Sequence, residues 1–231
     1  MVLSDGFDRV FRYLRLSVTE VCNFRCQYCL PDGYKVCSDA SSALSLDELR
    51  RAGTVFTGFG LRKIRLTGGE PTLRQDFTEI AQSLSSLQDI ETLALTTNGY
   101  RLAKKAQEWV GAGISAINIS IDSLSKRKFH QITGHDRLEE VMQGIEAAIK
   151  VGFTSVKLNV VYMKGINDDE VQDYLDLAKR LPISIRFIEL METGDRRAFF
   201  TKHHISTDVV KTKLVEAGWT LKLAAANAGP A

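Results

Sequence analysis

No stretch of the 231 residues approaches the roughly 20 apolar positions that a membrane-spanning helix needs. The first twelve residues also lack the short apolar segment of a secretory leader. A cytoplasmic protein is expected, with no membrane partner. Charge of one sign is scarce as well: the formal net charge is only +2. That is too small for general attraction to nucleic acid or acidic lipid, so a charged substrate has to be met by locally placed side chains. Cysteines number four, and three of them fall within eight positions, Cys22, Cys26 and Cys29, with Cys37 shortly after. A disulfide scaffold spreads its cysteines and dispenses with a large core, so clustered thiols point instead to metal. A glycine-rich Walker-type phosphate loop is also missing from the sequence.

Hydrophobic residues make up 44% of the sequence and charged residues 25%, the composition of a globular domain. Short stretches rich in Val, Ile and Leu predict strands over 13–18, 63–67, 92–96, 116–121, 155–162 and 184–190. Helical spacing fills 45–59, 74–84, 102–112, 138–151, 168–180 and 207–217. Ser45 followed by Glu48 reads as a capping box, and Gly60, Gly113, Gly152 and Gly218 stand where helices should stop. Such alternation builds a parallel sheet. The fold class is therefore α/β: a partial (β/α) barrel of about six parallel strand–helix units, open on one side, with residues 1–231 as a single domain.

Side chains along a strand alternate between two faces. One parity is apolar nearly throughout: Leu14, Leu16 and Val18; Ile64 and Leu66; Ile117, Ile119 and Ile121; Val156, Leu158 and Val160. The other carries Arg15, Arg65, Thr96, Asn118, Ser120, Lys157 and Asn159. The apolar set has to face the helices, so the polar set lines an interior that ordinary barrels fill with Val, Ile and Leu. Arg15, Arg65 and Lys157 lie on this inner parity, and Arg186 joins them from the sixth strand. Buried cations need anions. Glu70, Asp122 and Glu189 are the internal candidates; four converging cations favour an external polyanion, most simply a nucleoside polyphosphate.

The run Cys22-Asn-Phe-Arg-Cys26-Gln-Tyr-Cys29 follows the first strand directly, at the barrel end where active sites assemble. Structural zinc takes four protein ligands, usually as two separated pairs. Iron–sulfur clusters also normally take four cysteines, so three thiolates leave one iron open to an exchangeable ligand. Zinc on a non-catalytic metal- or nucleotide-binding module is the alternative reading.

The Cys-x3-Cys-x2-Cys spacing with Tyr28 before the last thiol resembles the signature of the radical S-adenosylmethionine superfamily, and Gly68-Gly69-Glu70-Pro71 is similar to its second motif. Arg65-Leu-Thr-Gly-Gly-Glu-Pro-Thr-Leu-Arg74, Thr96-Thr-Asn-Gly-Tyr100, Asn118-Ile-Ser-Ile-Asp-Ser123 and Arg186-Phe-Ile-Glu-Leu-Met-Glu-Thr-Gly194 resemble the GTP 3′,8-cyclase family of molybdenum-cofactor biosynthesis. The resemblance implies a 4Fe-4S cluster on Cys22, Cys26 and Cys29. It implies contacts to S-adenosylmethionine from Tyr28, Gly69, Ser120 and Met191, with Glu70 taking the amino group. GTP contacts fall on Arg15, Arg65, Thr96 and Lys157, with Arg186 added.

By the same resemblance, the reduced cluster cleaves the sulfonium, the resulting radical takes the 3′ hydrogen of GTP, and the ribose carbon joins guanine C8. No catalytic side chain is implied beyond cluster and cofactor. Implied partners are an electron donor, a homodimer mate and a downstream cyclic pyranopterin synthase, with no nucleic acid. A radical enzyme acting on another substrate is the rival within this class. One departure stands out. The family carries a second cluster on three further cysteines in a C-terminal region, and no cysteine follows Cys37 here. A fragment of a full cyclase is expected, impaired in cyclisation, with apolar surface exposed on the open side. Residues 32–42 are the candidate lid.

Overall fold

The computed structural model describes residues 2–35, 43–193, 196–220 and 222. Cys37, most of the candidate lid and the Ala-rich stretch 224–228 lie outside the described residues. Six strands, β1 (Tyr13–Ser17), β2 (Lys63–Thr67), β3 (Thr92–Thr97), β4 (Ile114–Ser120), β5 (Ser155–Tyr162) and β6 (Ser184–Glu189), form one sheet in chain order. Every pairing is parallel. This is the open partial barrel expected from the alternation.

The described residues also form eight α-helices: α1 (Leu46–Gly58), α2 (Phe77–Ser85), α3 (Leu102–Gly111), α4 (Lys126–Thr133), α5 (Leu138–Val151), α6 (Val171–Arg180), α7 (Arg197–His203) and α8 (Asp208–Glu216). The capping box at the start of α1 is present, with Ser45 and Glu48 satisfying each other's backbone N–H. Gly152 closes α5 in the left-handed conformation, which costs a residue without Cβ little. No helix among the described residues is long and apolar enough to cross a membrane.

Three expectations need correction. The helix predicted over 74–84 is instead a 3-10 turn, Pro71–Leu73, followed by α2. Arg74 is extended, at φ −61° and ψ 136°, because its guanidinium is engaged elsewhere: it donates to the carbonyls of Val18 (2.9 Å) and Leu44 (2.7 Å) and pairs with Asp76. The helix predicted from 168 begins at Val171, since Asn167 ties the preceding turn by accepting from the Met163 N–H at 2.8 Å. Two short helices, α4 and α7, were not predicted. For α4 the cue was available in Gly134, its left-handed C-cap at φ 74°; α7 buries no residue and leaves no periodic signal.

The two parities separate as the sequence implies. Along β5, buried Val156, Leu158, Val160 and Tyr162 alternate with half-buried Ser155, Lys157, Asn159 and Val161. Val156, Leu158 and Val160, with Ile64, Leu66, Leu93, Leu95, Ile117 and Ile119, form one core with Leu49, Ile80, Leu84, Trp109, Val141, Ile145 and Tyr174 of the helices, while Tyr162 joins a smaller cluster with Val171, Leu175 and Val210. Each such side chain gains about 1.5–3 kcal/mol on burial. Most of the sheet's apolar side chains thus face outward, which leaves the inner face mainly to polar ones.

Candidate functional site

The cysteine loop leaves β1 at Ser17 and is laid against the turn after β2. Val18 N–H donates to Thr67 O (2.9 Å), Gly69 N–H to Thr19 O (2.8 Å) and Glu70 N–H to Val21 O (2.7 Å). This approach explains the two glycines. A Cβ on Gly68, at φ +149°, would run into the Thr19 carbonyl, and one on Gly69 into the carbonyls of Glu20 and Val21. On its other side the loop rests on the end of α4, through Arg25 N–H to Thr133 O and Gln27 N–H to Ile132 O, both 2.9 Å. Phe24 is buried, edge-on to Phe129 and stacked on His135 at 5.2 Å. A tight turn, with Cys29 N–H and Leu30 N–H both donating to Cys26 O at 2.9 Å, brings the last two cysteines round.

Cys22 and Cys26 are half-buried and Cys29 is exposed, all as free thiols. Burial pushes each thiol's pKa up. Negative charge nearby adds to the effect, from Glu70 at Cys22 and from Asp122 at Cys26 and Cys29, and the thiols also repel one another. These are not activated nucleophiles, which need a lowered pKa. They stay protonated until a cationic centre replaces the protons, as a metal site requires. Among the described residues no three Cys, His, Asp or Glu side chains are gathered around a single ion. Three thiols with no imidazole or fourth thiol joined to them among the described residues are the donor set of a cluster that keeps one iron free of protein, whereas structural zinc takes four protein ligands. The donor set fits a three-thiolate iron–sulfur cluster.

Glu70, which the resemblance assigns to the cofactor's amino group, is tied into the sheet end. It is 1% exposed. One carboxylate oxygen accepts from Thr72 N–H (3.1 Å), Thr72 Oγ1 (2.5 Å) and Thr97 Oγ1 (2.8 Å), the other from Asn98 N–H (2.6 Å). Burial raises its pKa while these bonds pull it down. Its visible work is to clasp the ends of β2 and β3 together. Tyr28 donates its hydroxyl to Asp122 at 2.8 Å, and its ring packs on Ile132, Met163, Ile166 and Leu190. Asp122 also accepts from Val161 N–H at 2.8 Å, and burial raises its pKa to about 6. Ser120 ends β4 and lies across from Asn159. Met191 follows β6 with 77% of its surface exposed, so its side chain is not gathered with the others.

On the inner parity, Arg15 is level with Arg65, Lys157 with Asn118, and Arg186 with Asn159. Arg65 is buried; it donates to Tyr13 Oη (2.5 Å) and Thr96 Oγ1 (3.3 Å). Lys63, which sequence reasoning missed, shares this parity and lies over the Tyr13 ring at 5.5 Å. Its place at the strand's first position hid it, although it stands two residues from Arg65. Burial lowers the pKa of Lys63, Lys157 and Arg186. Repulsion lowers them further: Arg65 and Arg186 act on Lys63, Arg186, Lys63 and Arg65 on Lys157, and Arg65 on Arg186. The internal carboxylates do not relieve them. Glu70 and Asp122 are engaged as described, and Glu189 accepts from Ser206 and Thr207 and faces His204. None of the five cations has an ion-pair partner among the described residues. In the same lumen Asn159 Oδ1 is buried with no hydrogen-bond partner. Orphaned polar groups and unpaired cations of this kind mark a place where a polar, anionic molecule belongs.

The profile of the Radical SAM superfamily matches residues 16–178. A GTP 3′,8-cyclase from Aeromonas hydrophila subsp. hydrophila is 52% identical over 99% of this chain and 68% of its own length. The GTP 3′,8-cyclase of Yersinia pestis is 52% identical, with 99% and 70% covered. The chain belongs to the GTP 3′,8-cyclase family, within the Radical SAM superfamily. Among solved structures, Streptococcus suis SuiB bound to S-adenosylmethionine shares the fold with a TM-score of 0.66 at 16% identity, over 91% of this chain and 46% of SuiB. HydG, a maturase of the [FeFe]-hydrogenase, superposes with a TM-score of 0.63 at 14% identity, over 86% of this chain and 47% of HydG. These likenesses show a common sheet.

Proposed function

We propose that the chain acts on GTP as a radical S-adenosylmethionine enzyme, joining ribose C3′ to guanine C8 to give (8S)-3′,8-cyclo-7,8-dihydroguanosine 5′-triphosphate, the first step of molybdopterin biosynthesis. The observation that carries this reading is a three-thiol loop at the C-terminal end of β1 on a sheet whose inner face carries the unpaired cations Lys63, Arg65, Lys157 and Arg186. Cys22, Cys26 and Cys29 hold a 4Fe-4S cluster, whose bound S-adenosylmethionine supplies a carbon-centred radical on reduction.

The remaining roles belong to the chain's own side chains. Arg15, Arg65, Lys157 and Arg186, with Lys63, take the triphosphate, and Thr96, already fixed by Arg65, orients it. Tyr28, held by Asp122, and Ser120 on β4 border the cofactor. The turn at Gly69 and the Glu70 oxygen that accepts only from Asn98 N–H meet its amino group; Met191 contributes through its main chain, since its side chain points to solvent. The sheet contributes position and charge, aiming one ribose carbon at the radical. A single domain, an external one-electron donor and a cytoplasmic location, suited to free thiols, complete the proposal. A homodimer and a downstream cyclic pyranopterin synthase rest on the family resemblance alone.

Anaerobic reconstitution tests the reading. Iron and sulfide should bind with a brown chromophore that dithionite bleaches, and GTP should bind in equilibrium dialysis independently of S-adenosylmethionine. Zinc bound without sulfide, or no GTP binding at low salt, would sink it.

A further inference from the structure

The outer side of the cysteine loop carries a feature that neither cofactor nor substrate uses. A groove of about 520 Å3 runs there, lined by Gln27, Gln131, Lys164, Ile166, Lys202 and His203. Gln27 sits between Cys26 and Tyr28, so its Cα is about 3.8 Å from that of Cys26 and at most about 7.6 Å from that of Cys29. The groove is held open by the seam between residue 164 and the end of α7: Lys164 N–H donates to His203 O (2.8 Å), and His203 Nδ1 faces Lys164 O (2.9 Å). Lys164 and Lys202 are exposed, and neither has a side-chain ion pair or hydrogen bond among the described residues. The adjoining hollow adds Arg196 beside Phe199. Among the described residues no carboxylate lines either one.

We infer that this groove docks an acidic one-electron carrier protein and is the port through which the cluster is reduced. The inference rests on the radical reading given above. None of the residues proposed above for cofactor or nucleotide lines this groove, which leaves it to an electron donor. Charge complementarity selects the donor. A cationic, carboxylate-free hollow steers a negatively charged partner and sets its orientation, while Ile166 and Phe199 offer a small apolar floor. In the transfer the carrier loses one electron and the centre on Cys22, Cys26 and Cys29 gains it; no bond or proton moves.

The test uses the anaerobically reconstituted chain and an acidic flavodoxin as probe, with affinity measured by titration at low and moderate salt. Binding should weaken as salt rises. Lys164→Glu with Lys202→Glu should raise the flavodoxin Kd roughly 10- to 100-fold and slow cluster bleaching by the reduced carrier. Iron content and the affinities for S-adenosylmethionine and GTP should stay at wild-type values. Lys104→Glu with Lys150→Glu, on the exposed faces of α3 and α5, makes the same net-charge change and should leave the carrier's affinity alone. A Kd within about twofold of wild type for the groove pair, or equal weakening by the remote pair, overturns the docking inference. The radical reading then still stands as long as cluster and cofactor bind; a chain that binds neither overturns both.

Discussion

Replacing Lys157 by methionine should weaken GTP binding and stabilise the ligand-free chain at the same time. Methionine keeps the apolar stem and removes only the charge. A charge-assisted contact to a phosphate is worth about 1.5–3 kcal/mol, so the GTP Kd should rise roughly 10- to 150-fold. In the free chain the same ammonium is desolvated and repelled by Arg186, Lys63 and Arg65. Half-solvated charges interact by about 0.2–1 kcal/mol, which for a chain of this size corresponds to a Tm gain of up to about 4 °C. The pH dependence carries the same signature. Lys63 and Lys157 have pKa values below the ordinary 10.5, so between the folded and unfolded values the unfolded chain binds more protons. Stability of the free chain should therefore climb as pH rises toward the unfolded value, from a full cost below the folded pKa. The K157M variant should climb less. Calorimetry in phosphate-free, low-salt buffer measures Tm, and titration calorimetry measures GTP. A K157M chain that melts lower and binds GTP as before would refute the reasoning, because it would show the lysine to be internally paired.

Two further outcomes follow from the loop. Gly69→Ala should push the β2 turn off the carbonyls of Glu20 and Val21, costing about 1–3 kcal/mol by overpacking; iron per chain after reconstitution should fall, and an unchanged iron content with an unchanged urea midpoint would count against the contact. Asp122→Asn can still accept from Val161 N–H and can donate to the Tyr28 hydroxyl, so it should leave the fold intact while removing a charge that raises the pKa of Cys26 and Cys29. Alkylation of those two thiols in the metal-free chain, followed by mass spectrometry, should then quicken at fixed pH, with Cys22 little changed; equal rates in both chains would show that burial alone sets the thiols.

Alternation made the sheet legible. A parallel strand covered by helices has to place Ile117, Ile119, Val156 and Leu158 outward, and the residues between them inherit the lumen. Arg65 and Lys157 could be assigned to it before any motif was considered. The cysteine spacing was legible for a similar reason, being local. What the sequence hid was contact over long range. The resemblance gives Glu70 a ligand's role, but its partners Thr97 and Asn98, which come from the next strand end, could not be read from the sequence. Arg74 reads as helical until the carbonyls of Val18 and Leu44 draw it out. Lys63 was overlooked because a strand's first residue has no preceding pattern to fix its parity.

The division of the sheet into an apolar outer parity and a polar inner one bears on how such a protein can change over evolutionary time. Most of the apolar burial resides in one set of positions and, on the reading proposed above, ligand choice in the other, and the two sets alternate without sharing a residue. A substitution at Lys157 or Asn159 alters what the lumen recognises without opening a cavity against the helices, and an Ile-to-Val exchange at 117 or 119 does the reverse. Selection can then act on the two sets almost independently. That separability is one physical route by which chains only 14–18% identical retain a common sheet, and it marks the inner positions as the ones to randomise in a search for new substrates.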